Sequence, residues 1–171
     1  MKKTLFFLLF VMPGLFLFAQ GNYDSTYARP VNSINLSFLG DASLISINYE
    51  RRFLVSHKFI LSSKLGFGFN RELRICPFGP CPPTETYATI PHHITGNLGN
   101  GPHFFEFGLG GTIITGNKTQ PYLLYPIVGY RILPLSSDKV NFRVFAQIPF
   151  SGLETDDITF VPLGLSVGVS F

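Results

Sequence analysis

The chain ends with "PLGLSVGVSF", from Pro162 to Phe171, in which large apolar side chains alternate with glycine and serine. Successive side chains of a β-strand point to opposite faces, so this stretch predicts a strand with one apolar face and one face of small residues. The apolar face consists of Leu163, Leu165, Val167, Val169 and Phe171. The last residues of a domain are poorly ordered unless neighbouring structure holds them. We therefore expect other strands of the chain to hold this one in place.

The N-terminal stretch has the three parts of a secretory signal peptide. Two lysines form a positive region, residues 5–18 an apolar core, and Ala19 a small residue at which cleavage is possible. No cysteine follows the apolar core, which argues against a lipid anchor. We predict that residues 1–19 are removed on export and that residues 20–31 form a periplasmic lead-in.

The composition is poor in charge and rich in aromatic residues. Charged residues make up 13% of the chain and aromatic residues 15%, whereas a soluble domain has about a quarter of its residues charged. Removing residues 1–19 takes two of the 13 lysines and arginines and none of the 10 acidic residues, which leaves a net charge of +1. Nucleic-acid binding therefore has no electrostatic basis, and much of the surface is unsuited to water.

Alternation of apolar with small or polar residues recurs along the mature chain. No apolar stretch after the signal peptide reaches the roughly 20 residues that a membrane-spanning helix needs. In lipid every backbone polar group must be paired within the protein, so strands that span a membrane form a closed barrel. We predict an all-β fold over residues 32–171, an eight-stranded antiparallel transmembrane β-barrel with up-and-down topology. The predicted strands are 32–39, 43–52, 57–70, 85–98, 102–115, 121–133, 139–149 and 160–171.

Each predicted strand has one apolar face, which we assign to lipid, and one polar face, which we assign to the narrow interior together with many glycines. The interior set is Asn35, Ser37, Asn48, Glu50, Lys64, Glu106, Arg131, Arg143 and Gln147. With both termini in the periplasm, the outward aromatic residues fall at two heights, as the girdles of a transmembrane barrel do. The inner girdle is Tyr49, Phe59, Phe105, Tyr130, Phe142 and Phe171, and the outer girdle is Phe38, Phe69, Tyr122 and Phe150. The longest loop, 71–84, is then extracellular.

Two prolines fit this pattern poorly. Pro91 and Pro126 fall inside predicted strands, where each removes a ladder hydrogen bond, so we expect bulges or shorter strands there. His92 lies on the lipid-facing side of its strand, and a bulge at Pro91 would turn it inward instead. The fourth strand therefore has two possible registers.

The phrases "LGLSVGVSF" (163–171), "SINYERRF" (46–53) and "FFEFGLGGT" (104–112) resemble the small eight-stranded outer-membrane β-barrel proteins of Gram-negative bacteria. The resemblance covers essentially all of the mature chain. It implies a location in the outer membrane, with outer-membrane lipid as the surrounding partner. It also implies that the terminal strand is a signal read by the barrel-assembly machinery, carried by Leu163, Leu165, Val167, Val169 and Phe171.

Five charged residues lie on the inward side: Glu50, Lys64, Glu106, Arg131 and Arg143. Unpaired charges in so narrow an interior are costly, so we predict a paired network that plugs the barrel, with Lys64 above the other four. An alternative function for the same network is a proton or ion path, or a gate in which pairs exchange partners.

Cys76 and Cys81 are the only cysteines, in the sequence "CPFGPC". An exported chain reaches an oxidising compartment, so we predict a structural disulfide that closes this short extracellular loop. Redox catalysis favours the tighter CxxC spacing, and two cysteines alone make a poor zinc site.

The remaining candidates for chemistry give weak signals. Neighbours such as His92 and His93 cannot face the same side of a regular strand, which argues against a shared metal site. Some outer-membrane barrels are lipid acyl hydrolases, for which Ser56 and His57 are the candidates here. No GxSxG elbow or catalytic acid accompanies them. We expect no cofactor, no metal and no enzymatic activity.

The leading hypothesis is a monomeric, non-enzymatic, outer-membrane barrel with a plugged lumen. A small-solute pore, a lipid-binding barrel and a lipid acyl hydrolase stay open as alternatives. A fourth hypothesis is a secreted soluble barrel of the lipocalin kind, which requires the apolar face to point inward.

Overall fold

The computed structural model describes residues 30–56, 58–71, 85–117, 119–133, 139–152 and 158–171. They form eight strands: β1 (Asn32–Phe38), β2 (Ile45–Leu54), β3 (Phe59–Arg71), β4 (Thr86–Asn100), β5 (His103–Thr115), β6 (Tyr122–Ile132), β7 (Val140–Gln147) and β8 (Leu163–Ser170). Each strand pairs antiparallel with the next, and β1 pairs with β8, so the sheet closes into a barrel. The predicted eight-stranded meander is confirmed. No helix among the described residues has the length and apolar character to cross a membrane.

The first and last strands close the barrel and hold the terminal residue. Ile34 lies opposite Val169 in the β1–β8 pairing. The backbone N–H of Phe171 donates to the carbonyl oxygen of Asn32 at 2.9 Å, and the N–H of Asn32 donates back at 3.2 Å. The aromatic tip of the chain is therefore part of the hydrogen-bonded wall, as expected for a terminal strand that is held by its neighbours.

The wall is apolar outside and polar inside. Large apolar side chains of all eight strands are exposed on the outer surface, and Phe67 is 66% exposed. The side chains between them point inward and are buried, among them Asn35, Asn48 and Gln147. This arrangement follows from the alternation of the sequence, and it is the reverse of what the secreted lipocalin-like hypothesis requires.

The strand boundaries differ from the prediction where the chain turns. β2 begins at Ile45 instead of residue 43, because residues 39–44 form a loop in which Leu39, Asp41 and Ala42 have positive φ angles. β8 begins at Leu163 instead of residue 160. The outward and inward assignments are unaffected, because alternation continues through each strand.

The strands β4 and β6 continue through their prolines, so the expected bulges or shortened strands are wrong. Pairing of β4 with β3 is interrupted between His92 and Thr89 and resumes in the same register. Pairing of β6 with β7 begins at Ile127, the residue after Pro126. Each proline thus lies where its strand is not hydrogen-bonded to one of its two neighbouring strands, so the missing N–H breaks no pairing there. The register does not change, and His92 stays on the outer face.

The predicted signal peptide lies outside the described residues, as does most of the predicted lead-in. Residues 72–84 of the long loop, with both cysteines, and His57 also lie outside them. The signal peptide and the disulfide therefore stay predictions, and the Ser56–His57 pair of the hydrolase alternative is not tested.

Candidate functional site in the barrel lumen

Four of the five predicted lumen charges form one buried ion network. The side chain of Arg131 on β6 donates to Glu50 on β2 through Nη1 and to Glu106 on β5 through Nη2, the latter at 3.0 Å. Nε of Arg143 on β7 donates to the other oxygen of Glu106 at 2.6 Å. Glu106 is 0% exposed and Arg131 2%. The network therefore crosses the lumen between strands on opposite sides and fills it with charge-paired side chains.

Arg52 extends this network and was not among the predicted lumen charges. Its Nε lies 3.9 Å from Glu50 Oε1, and its Nη2 donates to Ser33 at 3.0 Å and to Ser170 at 3.2 Å. Those serines lie on β1 and β8, so Arg52 joins the network to the closing strands. The signal was present, since Arg52 follows Glu50 by two residues and so shares its inward face.

Lys64 belongs to a second cluster instead of the main network. Its Nζ lies 2.7 Å from Oδ2 of Asp41, and Nε2 of His93 lies 3.0 Å from Oδ1. Burial alone raises the pKa of a carboxyl group, but the ammonium charge of Lys64 and the contact with His93 hold the pKa of Asp41 well below its usual 3.8. Asp41 therefore stays ionised although it is fully buried.

The loop between β1 and β2 carries Asp41 into the lumen. Gly40 and three non-glycine residues of this loop have positive φ, which turns the chain tightly enough for it to fold inward. Thr112 on β5 donates to the backbone oxygen of Asp41 at 2.7 Å, and Ser43 bonds Thr89 on β4 at 2.6 Å. This inward loop is thus fixed to two strands of the opposite wall.

Apolar side chains close the lumen at both ends. We call the end with the inward loop the loop end, and the opposite end, near residues 32 and 171, the terminal end. At the loop end the buried cluster comprises Ala42, Tyr87, Ile114, Leu123, Tyr125, Ile127, Phe145 and Ile158. At the terminal end it comprises Ile60, Phe104 and Leu133. The charged clusters lie between two apolar caps, where water access is restricted.

These caps were missed because alternation reports only which residues share a face. Phe104 and Phe145 lie on the inward face together with Glu106 and Arg143, yet that face was predicted to be polar. Space for the Phe145 ring comes from glycine: a Cβ at Gly164 would lie 2.7 Å from a carbon of that ring. A large inward residue opposite a glycine is the signal that could have located the caps.

Among the described residues, the other candidates are not assembled into a site. His92 points outward and His93 inward, as the alternation requires. The hydroxyl of Ser56 accepts the backbone N–H of Phe59 at 3.1 Å, which is the role of a turn residue. No group of three or more metal-ligating side chains occurs within the described ranges.

Two histidines pair with tyrosines on the outer wall. The rings of His92 and Tyr122 stack at 5.6 Å near the loop end, with Nε2 of His92 3.0 Å from the tyrosine hydroxyl. His103 and Tyr130 stack at 6.0 Å near the terminal end, with Nδ1 2.6 Å from the hydroxyl. Each pair satisfies polar atoms that would otherwise face an apolar surface.

Comparisons with protein-family models, with curated proteins and with solved structures found no match to this chain.

Proposed function

We propose that this chain is an exported, integral outer-membrane β-barrel protein of a Gram-negative cell, monomeric and non-enzymatic, with a lumen closed by its charged network. The observation that carries the proposal is the inverted distribution of polarity. A closed barrel with a continuous apolar outer wall and ionised side chains inside is stable in lipid, whereas water would face that wall unfavourably.

The closed lumen favours a structural or loop-borne role over transport. Arg131 and Glu106 lie across the lumen with almost no exposed surface, between two apolar caps. An ion that crossed would have to displace paired charges whose separation in a low-dielectric interior is costly. The small-solute pore is therefore the second candidate, and a gate would need the whole network to rearrange.

The remaining parts of the proposal follow from the sequence. The partners are outer-membrane lipid and, during biogenesis, the barrel-assembly machinery, with the terminal strand as its signal. A disulfide between Cys76 and Cys81 closes the extracellular loop. No cofactor or nucleic acid is involved.

Conductance across planar bilayers tests the closed lumen. We expect the reconstituted protein to give no steady conductance steps under conditions in which an open porin does. Glu50→Ala with Arg131→Ala shortens both partners of one pair, so any conductance should rise only in this variant. Steady steps from the unaltered protein would contradict the closed lumen and favour the pore.

A further inference from the structure

A groove of about 740 Å³ lies on the outer wall across β3 to β6. Its sides are largely apolar and include Leu61, Leu65, Ile94, Leu109 and Leu124. The outer wall of a barrel is convex, so a concavity of this size needs a local cause. The cause is a set of small residues on the outward face.

Gly96 forms the floor at the end of the groove nearer the terminal end of the barrel. A Cβ there would lie 2.9 Å from Phe59 and 3.1 Å from Phe107, so both rings lean over the glycine and form the end wall. The two rings lie 6.4 Å apart. Aromatic rings that cover a glycine on a sheet help to fix the strand register. The surface next to the projecting rings is lower than the rings themselves.

Gly111 has the same role at the end of the groove nearer the loop end. The Tyr122 hydroxyl and the His92 ring occupy the space that a Cβ at Gly111 would need. This end wall is polar, whereas the other end wall is purely apolar. The groove is therefore amphipathic along its length.

The hydrogen bonds of His92 determine which hydrogen-bonding group at the polar end is available to a ligand. Nδ1 lies 3.3 Å from the carbonyl oxygen of Ile90, which only accepts, so Nδ1 carries the proton. Nε2 then accepts the hydroxyl hydrogen of Tyr122. A hydroxyl oxygen has two lone pairs, so the Tyr122 oxygen offers an acceptor to a further N–H or O–H donor.

The length of the groove matches one leaflet. Tyr122 at one end and Val128, which lies opposite Phe107 at the other, are six residues apart on β6. Six residues of strand span about 20 Å, and a tilt of roughly 40° reduces this to about 15 Å of depth, half of the hydrocarbon core. The polar end lies at the start of β6, close to the rim of the barrel.

We propose that the groove binds one acyl chain of a bilayer lipid, with a hydroxyl or ammonium donor of the lipid head group on the Tyr122 oxygen. The inference rests on the proposed membrane location. A second barrel fits less well, because its convex wall would meet the projecting rings of Phe59, Phe107 and Tyr122 before it reached the floor. A flexible chain enters the groove between those rings.

The chain contains no tryptophan, which permits a test with a single fluorescent reporter. Phe107→Trp places the reporter in the groove wall, and Phe142→Trp places a matched reporter on β7, where Phe142 is also exposed. Each variant is reconstituted in vesicles that contain either brominated phosphatidylethanolamine, which has an ammonium donor, or brominated phosphatidylcholine, which has none. The ratio of quenching by the two lipids cancels differences of depth.

We expect the Phe107→Trp reporter to show preferential quenching by phosphatidylethanolamine, with a relative binding constant about fivefold higher, the size of one net hydrogen bond. The Phe142→Trp reporter should show no preference. Adding Tyr122→Phe should abolish the preference at the groove. Adding Tyr130→Phe should leave it unchanged, because that hydroxyl belongs to the other histidine–tyrosine pair.

Three outcomes overturn the inference. Equal ratios at both reporters would show that the groove holds ordinary bulk lipid. Quenching at the groove that is weaker than at β7 for both lipids would indicate a second protein copy in the groove. An absence of quenching at both reporters would refute the membrane location itself, and the inference with it.

Discussion

At the scale of single residues, the barrel depends on carboxylates that stay ionised without contact with water. Glu106 accepts from two arginines on neighbouring strands, and the alternation of the sequence alone predicts that all three side chains point into the lumen. Asp41 could not be found in this way. It lies in a loop, where alternation carries no information, and its partners Lys64 and His93 are defined only by the inward fold of that loop.

Glu106→Gln should be strongly destabilising. The substitution keeps the size of the side chain but leaves Arg131 and Arg143 with one fewer buried anion, a loss of about 3–5 kcal/mol for a broken buried pair. Urea unfolding of the detergent-folded barrel, followed by circular dichroism, measures this loss. Lys58→Gln, at an exposed turn, is the control and should change the free energy of unfolding by less than about 0.5 kcal/mol.

A double variant separates charge imbalance from lost packing. Arg143→Met removes the excess positive charge that Glu106→Gln creates. The double variant should therefore lose less free energy of unfolding than the sum of the losses in the two single variants. Strict additivity would mean that the two side chains do not interact, in conflict with the 2.6 Å contact between them.

Asp41 should make the stability of the barrel sensitive to acid. Its pKa is lower in the folded protein than in the unfolded chain, because Lys64, His93 and Arg143 favour the carboxylate despite burial. The stabilisation is therefore complete above the unfolded pKa, near 3.8, and is lost as the pH falls below it. Asp41→Asn should be less stable than the unaltered protein at pH 7, with a gap that narrows below about pH 4. A gap that is constant from pH 7 to pH 3 would show that folding does not lower the pKa of Asp41.

At the scale of elements, the strands were predictable and the connections were not. Alternation located all eight strands, because an apolar outer face and a confined inner face constrain every residue of a strand. The inward loop at residues 39–44 has no such pattern. Gly40 marks a turn there, but Leu39, Asp41 and Ala42 have positive φ angles that are unusual for residues other than glycine. The prediction at the prolines was wrong, because the sequence of one strand does not show where its pairing with a neighbouring strand is interrupted.

Gly40→Ala tests how tightly the inward loop is held. Gly40 has φ of 68°, and a Cβ there would lie 2.8 Å from the ring of Phe145. Gly101→Ala is the matched control, because its φ is 59° but a Cβ there meets nothing within 4 Å. We expect the control to cost about 1–2 kcal/mol from backbone strain and Gly40→Ala to cost clearly more in the same urea titration. Equal costs would mean that the loop does not press against Phe145.

At the scale of the whole molecule, two features favour a membrane barrel: the sheet is closed, and its outer wall is apolar while its interior is polar. Pairing of β1 with β8 leaves no free edge in the sheet, and every strand contributes apolar side chains to the outer wall. The sequence predicted both features, because one face of each strand is apolar and the terminal strand needs a partner. The two lumen caps and the groove on the outer wall depend on which large residue meets which glycine across strands, and a single strand does not contain that information.

The most direct test of the membrane barrel is the mobility of the membrane-extracted protein on a denaturing gel, with and without boiling. A barrel whose sheet is closed and whose lumen is bridged by ion pairs should resist detergent at room temperature, and the compact form should migrate faster than the boiled one. We predict recovery in the outer-membrane fraction with this heat-dependent shift. Recovery as a soluble protein with identical mobility in both lanes would contradict a membrane barrel.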